Sequence, residues 1–208
     1  MQSLWLAEFF GTAFLLMIVV GSGIMGETLS PGNPAIALLA NSTATGAGLF
    51  VLIQCLGPIS GAHFNPVVSW VETLQGNLER KKLWAYWSAQ FCGAWIGVLL
   101  THVMFQKNVW QLGDKERSNP GLWLGELVAT FGLICVIALA KRRNAEVVGV
   151  TVATYIMSAY WFTSSTSFAN PSVTFARMMT DTFCGIHPTS VMPFVIAQIL
   201  GAWLAVRT

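Results

Sequence analysis

The stretch SGAHFNPV, residues 60–67, and its shorter counterpart SFANPS, residues 167–172, decide the fold of this chain. Each contains an Asn-Pro pair between long apolar segments and is followed by a run that can start a helix. Asparagine is a strong N-cap, and proline fits the first helical turn because its missing N–H is not needed there. Each stretch therefore predicts a capped helix start, one at Asn65 and one at Asn170.

The composition indicates a membrane protein. Of the 208 residues, 54% are hydrophobic and only 10% are charged, and the mean hydropathy is +0.61. An ordinary soluble domain has about 25% charged residues, so this chain has too few charges to cover a surface in water. The net charge of +2 is small and does not indicate a nucleic-acid partner.

Six stretches approach the length of about 20 apolar residues that a membrane-spanning helix needs. They cover roughly 4–25, 35–56, 83–105, 122–140, 147–161 with its continuation, and 190–206. Two shorter segments, roughly 66–74 and 171–180, follow the Asn-Pro pairs and reach about halfway across the hydrocarbon at about 1.5 Å per residue. Lipid offers no partner for interrupted backbone, so we expect the two half-helices to meet N-terminus to N-terminus at a protein-lined cavity.

Three short motifs recur in the same order in both halves of the chain. They are Glu8 to Thr12 with Glu126 to Thr130, Asn65-Pro66 with Asn170-Pro171, and Ala89 to Ala94 with Ala197 to Ala202. We predict one transmembrane domain over residues 1–208, with repeat 1 at about 1–106 and repeat 2 at about 120–208. An odd number of spans in each repeat inverts the second copy, and inverted repeats with broken helices place the substrate path at their interface.

Basic residues predict the orientation. One side of the predicted membrane carries Arg80, Lys81, Lys82, Lys141, Arg142, Arg143 and Arg207. The other side carries only Lys107, Lys115, Arg117 and Arg177. The positive-inside rule then places both termini in the cytoplasm of a multi-pass protein in the cell (inner) membrane.

Two acidic residues, Glu8 and Glu126, lie within predicted spans, where an acid is costly. They could carry protons in a secondary transporter, or they could accept hydrogen bonds from the backbone of the nearby loops. Two symmetry-related acids beside two symmetry-related loops favour the second interpretation. His63 could line the path or bond a loop carbonyl, and the sequence leaves both open.

The sequence contains no Ser/His/Asp, Cys/His or metal-ligand constellation. We therefore predict no catalytic residue, no metal site and no cofactor, and the chain does not read as an enzyme.

The Glu-x-x-Gly-Thr start, the Ser-Gly-x-His-x-Asn-Pro loop, the Ala-Gln-x-x-Gly segments and the second Asn-Pro together resemble the major intrinsic proteins, which are the aquaporins and aquaglyceroporins. The resemblance covers essentially the whole chain. It implies an all-α membrane protein, an aquaporin-like bundle of six transmembrane helices with two re-entrant half-helices and an inverted internal repeat. It also implies a homotetramer in membrane lipid, with one pore per protomer for water and small neutral solutes.

The resemblance assigns Asn65 and Asn170 to the pore midpoint, where their amides donate hydrogen bonds to passing water or hydroxyl groups. The N-termini of the half-helices put a positive potential at the same place, which opposes protons and cations while neutral solutes pass.

The outer selectivity filter departs from the family pattern. Most members have an arginine directly after the second motif, whereas this chain has Val173. Counting back from the two asparagines gives Thr45, Ser158 and Ser167 as the other filter positions. These small, uncharged side chains predict a wide pore for uncharged polar solutes, with glycerol, urea and hydroxylated metalloids such as arsenous acid as candidates. The pattern is similar to that of members found beside arsenic-resistance genes, and this resemblance implies trivalent or methylated arsenicals.

Arg177 lies one helical turn beyond Val173 and has two interpretations. Its side chain could fold back and supply the missing filter charge, or it could lie in the outer vestibule, paired with Asp181. Burial of an unpaired guanidinium in a membrane is expensive, and Asp181 is one turn away. We therefore expect the vestibule position.

Overall fold

The computed structural model describes residues 2–208. Within this range the chain forms eight α-helices, one short 3-10 helix (Ala145–Val147) and no β-strand. The helices are α1 (Gln2–Leu29), α2 (Pro34–Ser60), α3 (Pro66–Leu74), α4 (Arg80–Met104), α5 (Pro120–Arg143), α6 (Val148–Phe162), α7 (Pro171–Arg177) and α8 (Pro188–Arg207). The predicted all-α bundle with two half-helices, α3 and α7, is confirmed.

Five helices, namely α1, α2, α4, α5 and α8, are long and apolar enough to cross a membrane. The sixth predicted span is the shorter helix α6, which has 15 residues. The second half-helix ends at Arg177 and not near residue 180 as predicted, because residues 178–187 form a loop.

Asparagine caps start both half-helices as the sequence predicts. Asn65 Oδ1 accepts a hydrogen bond from the Val67 N–H at 3.1 Å. Asn170 Oδ1 accepts one from the Ser172 N–H at 3.0 Å. In both helices the proline follows at the first position, where no intrahelical donor is lost.

The two halves of the chain repeat the same packing. Helix α1 packs against α2 and α4, and helix α5 packs in the same way against α6 and α8. Equivalent close crossings lie at Gly93 and Gly201, where an added Cβ would clash with the carbonyl oxygens of Phe9 and Leu127. Glycine therefore allows the backbones to approach closely, which is how helices associate in membranes.

The alternating spans bring both chain ends to one side of the bundle, which we call the termini face. The connection between α4 and α5 and the loop that follows α7 lie at the opposite side, which we call the outer face.

Candidate functional site

The loops before α3 and α7 meet in the middle of the bundle through reciprocal hydrogen bonds. Asn65 Nδ2 donates to the Ala169 carbonyl at 2.7 Å. Asn170 Nδ2 donates to the Phe64 carbonyl, also at 2.7 Å. Each asparagine thus caps its own half-helix and holds the opposite loop, so the two helix starts are fixed face to face.

Glu8 supports the first loop. It is fully buried, and its Oε1 accepts hydrogen bonds from the Ser60 hydroxyl at 2.6 Å and the His63 N–H at 3.0 Å. Its Oε2 accepts from the Phe64 N–H at 2.7 Å and from Gln90 Nε2 at 2.8 Å. Both carboxylate oxygens are therefore occupied by donors.

Glu126 supports the second loop in the same manner. It is also fully buried, and it accepts hydrogen bonds from the Phe168 and Ala169 N–H groups, both at 2.8 Å, and from Gln198 Nε2 at 2.6 Å. A proton on either acid would compete with donors already in place. The geometry favours loop support over proton carriage.

The buried acids coincide with unusual backbone conformations in both loops. Four non-glycine residues have a positive φ at equivalent positions: Ala62 (51°) and Phe64 (49°) in the first loop, and Ser167 (51°) and Ala169 (47°) in the second. Such conformations cost of order 1–3 kcal/mol each. The hydrogen bonds to Glu8 and Glu126 hold these segments in place.

A cavity of about 90 Å³ passes between the two loops and the surrounding helices. This volume is several times the minimum of about 10–15 Å³ that a single water molecule needs. The loops, the two asparagines, Thr45, Lys141 and Arg177 supply its polar lining. Most of the rest is aliphatic, from Leu15, Val19, Leu49, Leu133, Val152 and Ile156. One side of the cavity can therefore bond hydroxyl groups while the other contacts carbon.

Three of the four predicted filter residues, Thr45, Ser167 and Val173, line this cavity. The buried Ser167 hydroxyl has no hydrogen-bond partner among residues 2–208. Tyr160 joins them and donates from its hydroxyl to Thr45 Oγ1 at 3.3 Å.

The prediction for Ser158 is wrong. Ser158 is exposed, and its hydroxyl donates to the Thr154 carbonyl of its own helix at 2.9 Å. Counting back from Asn170 assumed a fixed loop length, whereas the α6 residues that line the cavity include Ile156 and Tyr160. Ser158 lies two positions from each, on the opposite side of the helix. The spacing of apolar residues at 152, 156 and 160 was the signal for the correct face.

The expected pairing of Arg177 with Asp181 in a vestibule is also wrong. Arg177 is only 3% exposed and lines the cavity together with Val173. Its Nε donates to the Cys184 carbonyl at 2.5 Å, and its guanidinium carbon lies 3.4 Å from the centre of the Phe168 ring. A carbonyl acceptor and an aromatic face, rather than an acid, offset the cost of burying this cation. Asp181 is exposed.

Three successive carbonyls of the outer loop each accept a hydrogen bond from a cationic side chain. Phe183 accepts from Lys115 Nζ (3.2 Å), Cys184 from Arg177 Nε (2.5 Å) and Gly185 from Arg117 Nε (3.3 Å). Burial and repulsion from Arg177 lower the pKa of Arg117 to about 10, so it remains charged at neutral pH. The outer end of the cavity is therefore cationic, and not uncharged as its filter positions alone predicted.

His63 lies at the other end of the cavity. It lines the path, and its Nδ1 forms a hydrogen bond of 3.0 Å with Ser69 Oγ and not with a loop carbonyl. Beyond it, on the termini face, opens a vestibule of about 710 Å³.

A family comparison identifies this architecture. The family model described as major intrinsic protein matches residues 2–163. The chain belongs to this family. Its members are membrane channels, so this major intrinsic protein is a passive channel for water and small solutes and is not an enzyme. The comparisons do not support a proton-coupled transporter.

Individual relatives agree with this assignment. The chain is 50% identical over 196 residues to aquaglyceroporin AqpS of Rhizobium meliloti (strain 1021), an alignment that covers 94% of this chain and 84% of that one. It is 30% identical over 213 residues to aquaporin NIP2-3 of Zea mays, covering 96% and 67%. The X-ray structure of the aquaglyceroporin from Plasmodium falciparum has a TM-score of 0.76 over 98% of this chain and 93% of its own, at 20% identity, and shares the fold.

Proposed function

We propose that this major intrinsic protein conducts small neutral hydroxylated solutes, and that Arg177 supplies the charge of its outer selectivity filter. The observation that carries the proposal is the position of the guanidinium, which is buried and lines the same cavity as the Ser167 hydroxyl, a group without a partner among residues 2–208. Thr45, Tyr160 and Val173 complete the filter.

The filter has one polar and one apolar side. Arg177 Nε is occupied by the Cys184 carbonyl, which leaves the terminal N–H groups of the guanidinium for solute oxygens. Ser167 adds a hydroxyl, and Val173 and the Tyr160 ring offer apolar surface. Such a filter suits a molecule whose hydroxyl groups and carbon atoms lie on different sides, because lining donors and pore diameter set selectivity.

The midpoint asparagines provide the next contacts along the path. Asn65 and Asn170 each use one amide hydrogen on the opposite loop, and the second hydrogen of each amide can bond the solute. The half-helix dipoles and the Arg177 charge both oppose the passage of cations.

Glycerol, urea and arsenous acid are the substrates we propose, together with water and, as a narrower suggestion, methylated arsenicals. The relative AqpS is named an aquaglyceroporin, which supports the polyol class. Because the filter retains a cation and an aromatic ring, its opening is smaller than the filter positions alone suggest. Larger polyols should therefore pass slowly.

We propose that the chain is one transmembrane domain over residues 1–208, built from repeats at about 1–106 and 120–208. It forms a homotetramer in the cell inner membrane, with the termini face in the cytoplasm. The basic residues on that face support the orientation. Native mass spectrometry of the detergent-solubilised protein tests the tetramer, and protease accessibility of tagged termini tests the orientation.

Stopped-flow light scattering on proteoliposomes tests the substrate class. We expect water, glycerol, urea and arsenous acid to cross faster than in protein-free vesicles, without accumulation and without a response to a proton gradient. Fast water flux with no glycerol flux would overturn the proposal. Uptake of glycerol against its gradient, driven by protons, would instead indicate a transporter.

A further inference from the structure

A charged junction connects the central cavity to the vestibule on the termini face. Gly61, His63 and Lys141 line both spaces, so the two join at these residues. A solute that crosses the channel must therefore pass the Lys141 ammonium group.

A buried acid holds Lys141 in this place. Lys141 Nζ lies 2.6 Å from Glu72 Oε1, and the Glu72 side chain is 5% exposed whereas that of Lys141 is 42% exposed. The other carboxylate oxygen of Glu72 accepts a hydrogen bond from Asn77 Nδ2 at 3.0 Å. Both carboxylate oxygens are occupied, and Glu72 lines the vestibule but not the central cavity, whereas Lys141 lines both. The ammonium is therefore the charge that a solute meets where the two spaces join.

The inner junction and the outer filter are related by the repeat. Glu72 occupies the position after Asn65 that Arg177 occupies after Asn170. The two residues differ in sign, but each end of the cavity is lined by a cation, Arg177 at the outer end and Lys141 at the inner end. Arg177 is held by the Cys184 carbonyl and Lys141 by the Glu72 carboxylate.

We propose that Lys141 is a specificity-determining residue of a second, inner selectivity site, and that Glu72 is its positioning residue. The proposal rests on the proposed function as a channel for neutral solutes. A fixed ammonium repels cations, and with one N–H directed at Glu72 it has two left for a solute. It therefore admits neutral polyols and undissociated oxyacids, whose oxygens accept these bonds, and it excludes metal cations.

The charge exchange Glu72→Lys with Lys141→Glu tests this assignment. It keeps an ion pair and the combined length of the two side chains, but it places a carboxylate at the junction. In proteoliposomes, we expect glycerol flux to remain and the potassium leak relative to glycerol flux to rise about tenfold, because the charge beside the path changes sign.

Two controls define the comparison. Lys141→Arg keeps the charge and should retain the wild-type ratio of potassium leak to glycerol flux. Arg143→Met removes one basic residue from the exposed end of the same helix, outside both spaces, and should also retain it. A leak caused by any change of charge near the end of α5, and not by the charge at the junction, would appear in Arg143→Met as well.

An unchanged ratio of potassium leak to glycerol flux in the charge-exchange variant would overturn the proposal and leave the ion pair with a structural role only. If the exchange variant does not fold, the double variant Glu72→Gln with Lys141→Met removes both charges instead. A rise in its ratio of potassium leak to glycerol flux would support the inner site, and an unchanged ratio would overturn it. The wild-type glycerol flux is measured in parallel. Its absence would overturn the proposed function, whereas its presence with an unchanged ratio would overturn the inner site alone.

Discussion

The half-helices α3 and α7 are built alike and end differently. Each starts at an asparagine cap, each follows a loop held by a buried glutamate, and each directs its N-terminus to the middle of the bundle. Their last turns carry opposite charges, Glu72 in α3 and Arg177 in α7. The acid is paired with a lysine, whereas the arginine is held by a carbonyl and an aromatic ring.

We infer from this difference which parts of the repeat serve the architecture and which serve selection. The asparagines and glutamates are the same in both halves because both half-helices need an N-cap and both loops need an acceptor for their backbone N–H groups. The residues at the two ends of the path face different spaces, the proposed filter at the outer face and an open vestibule at the termini face. The symmetry therefore breaks at the two places where we propose that the solute is selected.

Removal of the loop-supporting acids should have the largest effect. Glu8→Ala leaves four donors without an acceptor and Glu126→Ala leaves three. At about 1–3 kcal/mol for each buried donor, the losses are about 4–12 and about 3–9 kcal/mol. They approach the entire stability of a typical folded protein, about 5–15 kcal/mol.

Fluorescence-detected size-exclusion chromatography measures the outcome as folded yield. We expect little folded protein for either variant, with Glu8→Ala the worse of the two. Glu27→Ala is the matched control, because Glu27 is exposed near the end of α1. Equal folded yields for Glu8→Ala and Glu27→Ala would contradict the support role.

Truncation of the aromatic filter wall should have a smaller effect, confined to selectivity. Tyr160→Ala opens the outer end of the cavity, so the permeability ratio of erythritol to glycerol should rise severalfold because pore diameter sets the size limit. Ser158→Ala should leave the ratio unchanged, since Ser158 lies on the outside of α6. If the erythritol-to-glycerol ratio rose in Ser158→Ala and not in Tyr160→Ala, Ser158 would be the filter residue, as counting back from Asn170 predicts.

Loss of the tyrosine hydroxyl alone should have the smallest effect. Tyr160→Phe removes the 3.3 Å hydrogen bond to Thr45, which is worth about 0.5–1.5 kcal/mol net. We expect the melting temperature to fall by about 2–4 °C per kcal/mol and the permeability ratio to stay as in the wild type. If Tyr160→Phe raised that ratio as much as Tyr160→Ala, the hydroxyl and not the ring would set the size limit.

Much of the fold could be predicted from the sequence because its signals are local. The Asn-Pro pairs predict helix starts, the long apolar runs predict spans, and the acids within them predict buried hydrogen-bond donors. None of these predictions depends on which other helices are nearby. The repeated order of these signals then fixed the inverted arrangement.

The details of the site could not be predicted because they depend on contacts between distant segments. The prediction for Ser158 is wrong because a count of residues back from Asn170 does not say where α6 ends or which side of it faces the cavity. The position of Arg177 depends on the Phe168 ring and the Cys184 carbonyl, and nothing in the sequence marks either as a partner for a guanidinium. The pairing of Lys141 with Glu72 joins the two repeats, which no local pattern indicates.

The size and charge selectivity of Arg177→Ala, compared with that of Asp181→Ala, tests most directly the central claim that Arg177 supplies the charge of the outer filter. Stopped-flow light scattering gives the erythritol-to-glycerol ratio, and a potassium-selective electrode gives the cation leak from the same vesicles. If Arg177 is the filter cation, Arg177→Ala raises both quantities severalfold, and Asp181→Ala, which alters an exposed residue, leaves both as in the wild type. Wild-type values for both quantities in folded Arg177→Ala would contradict the claim and return Arg177 to the vestibule.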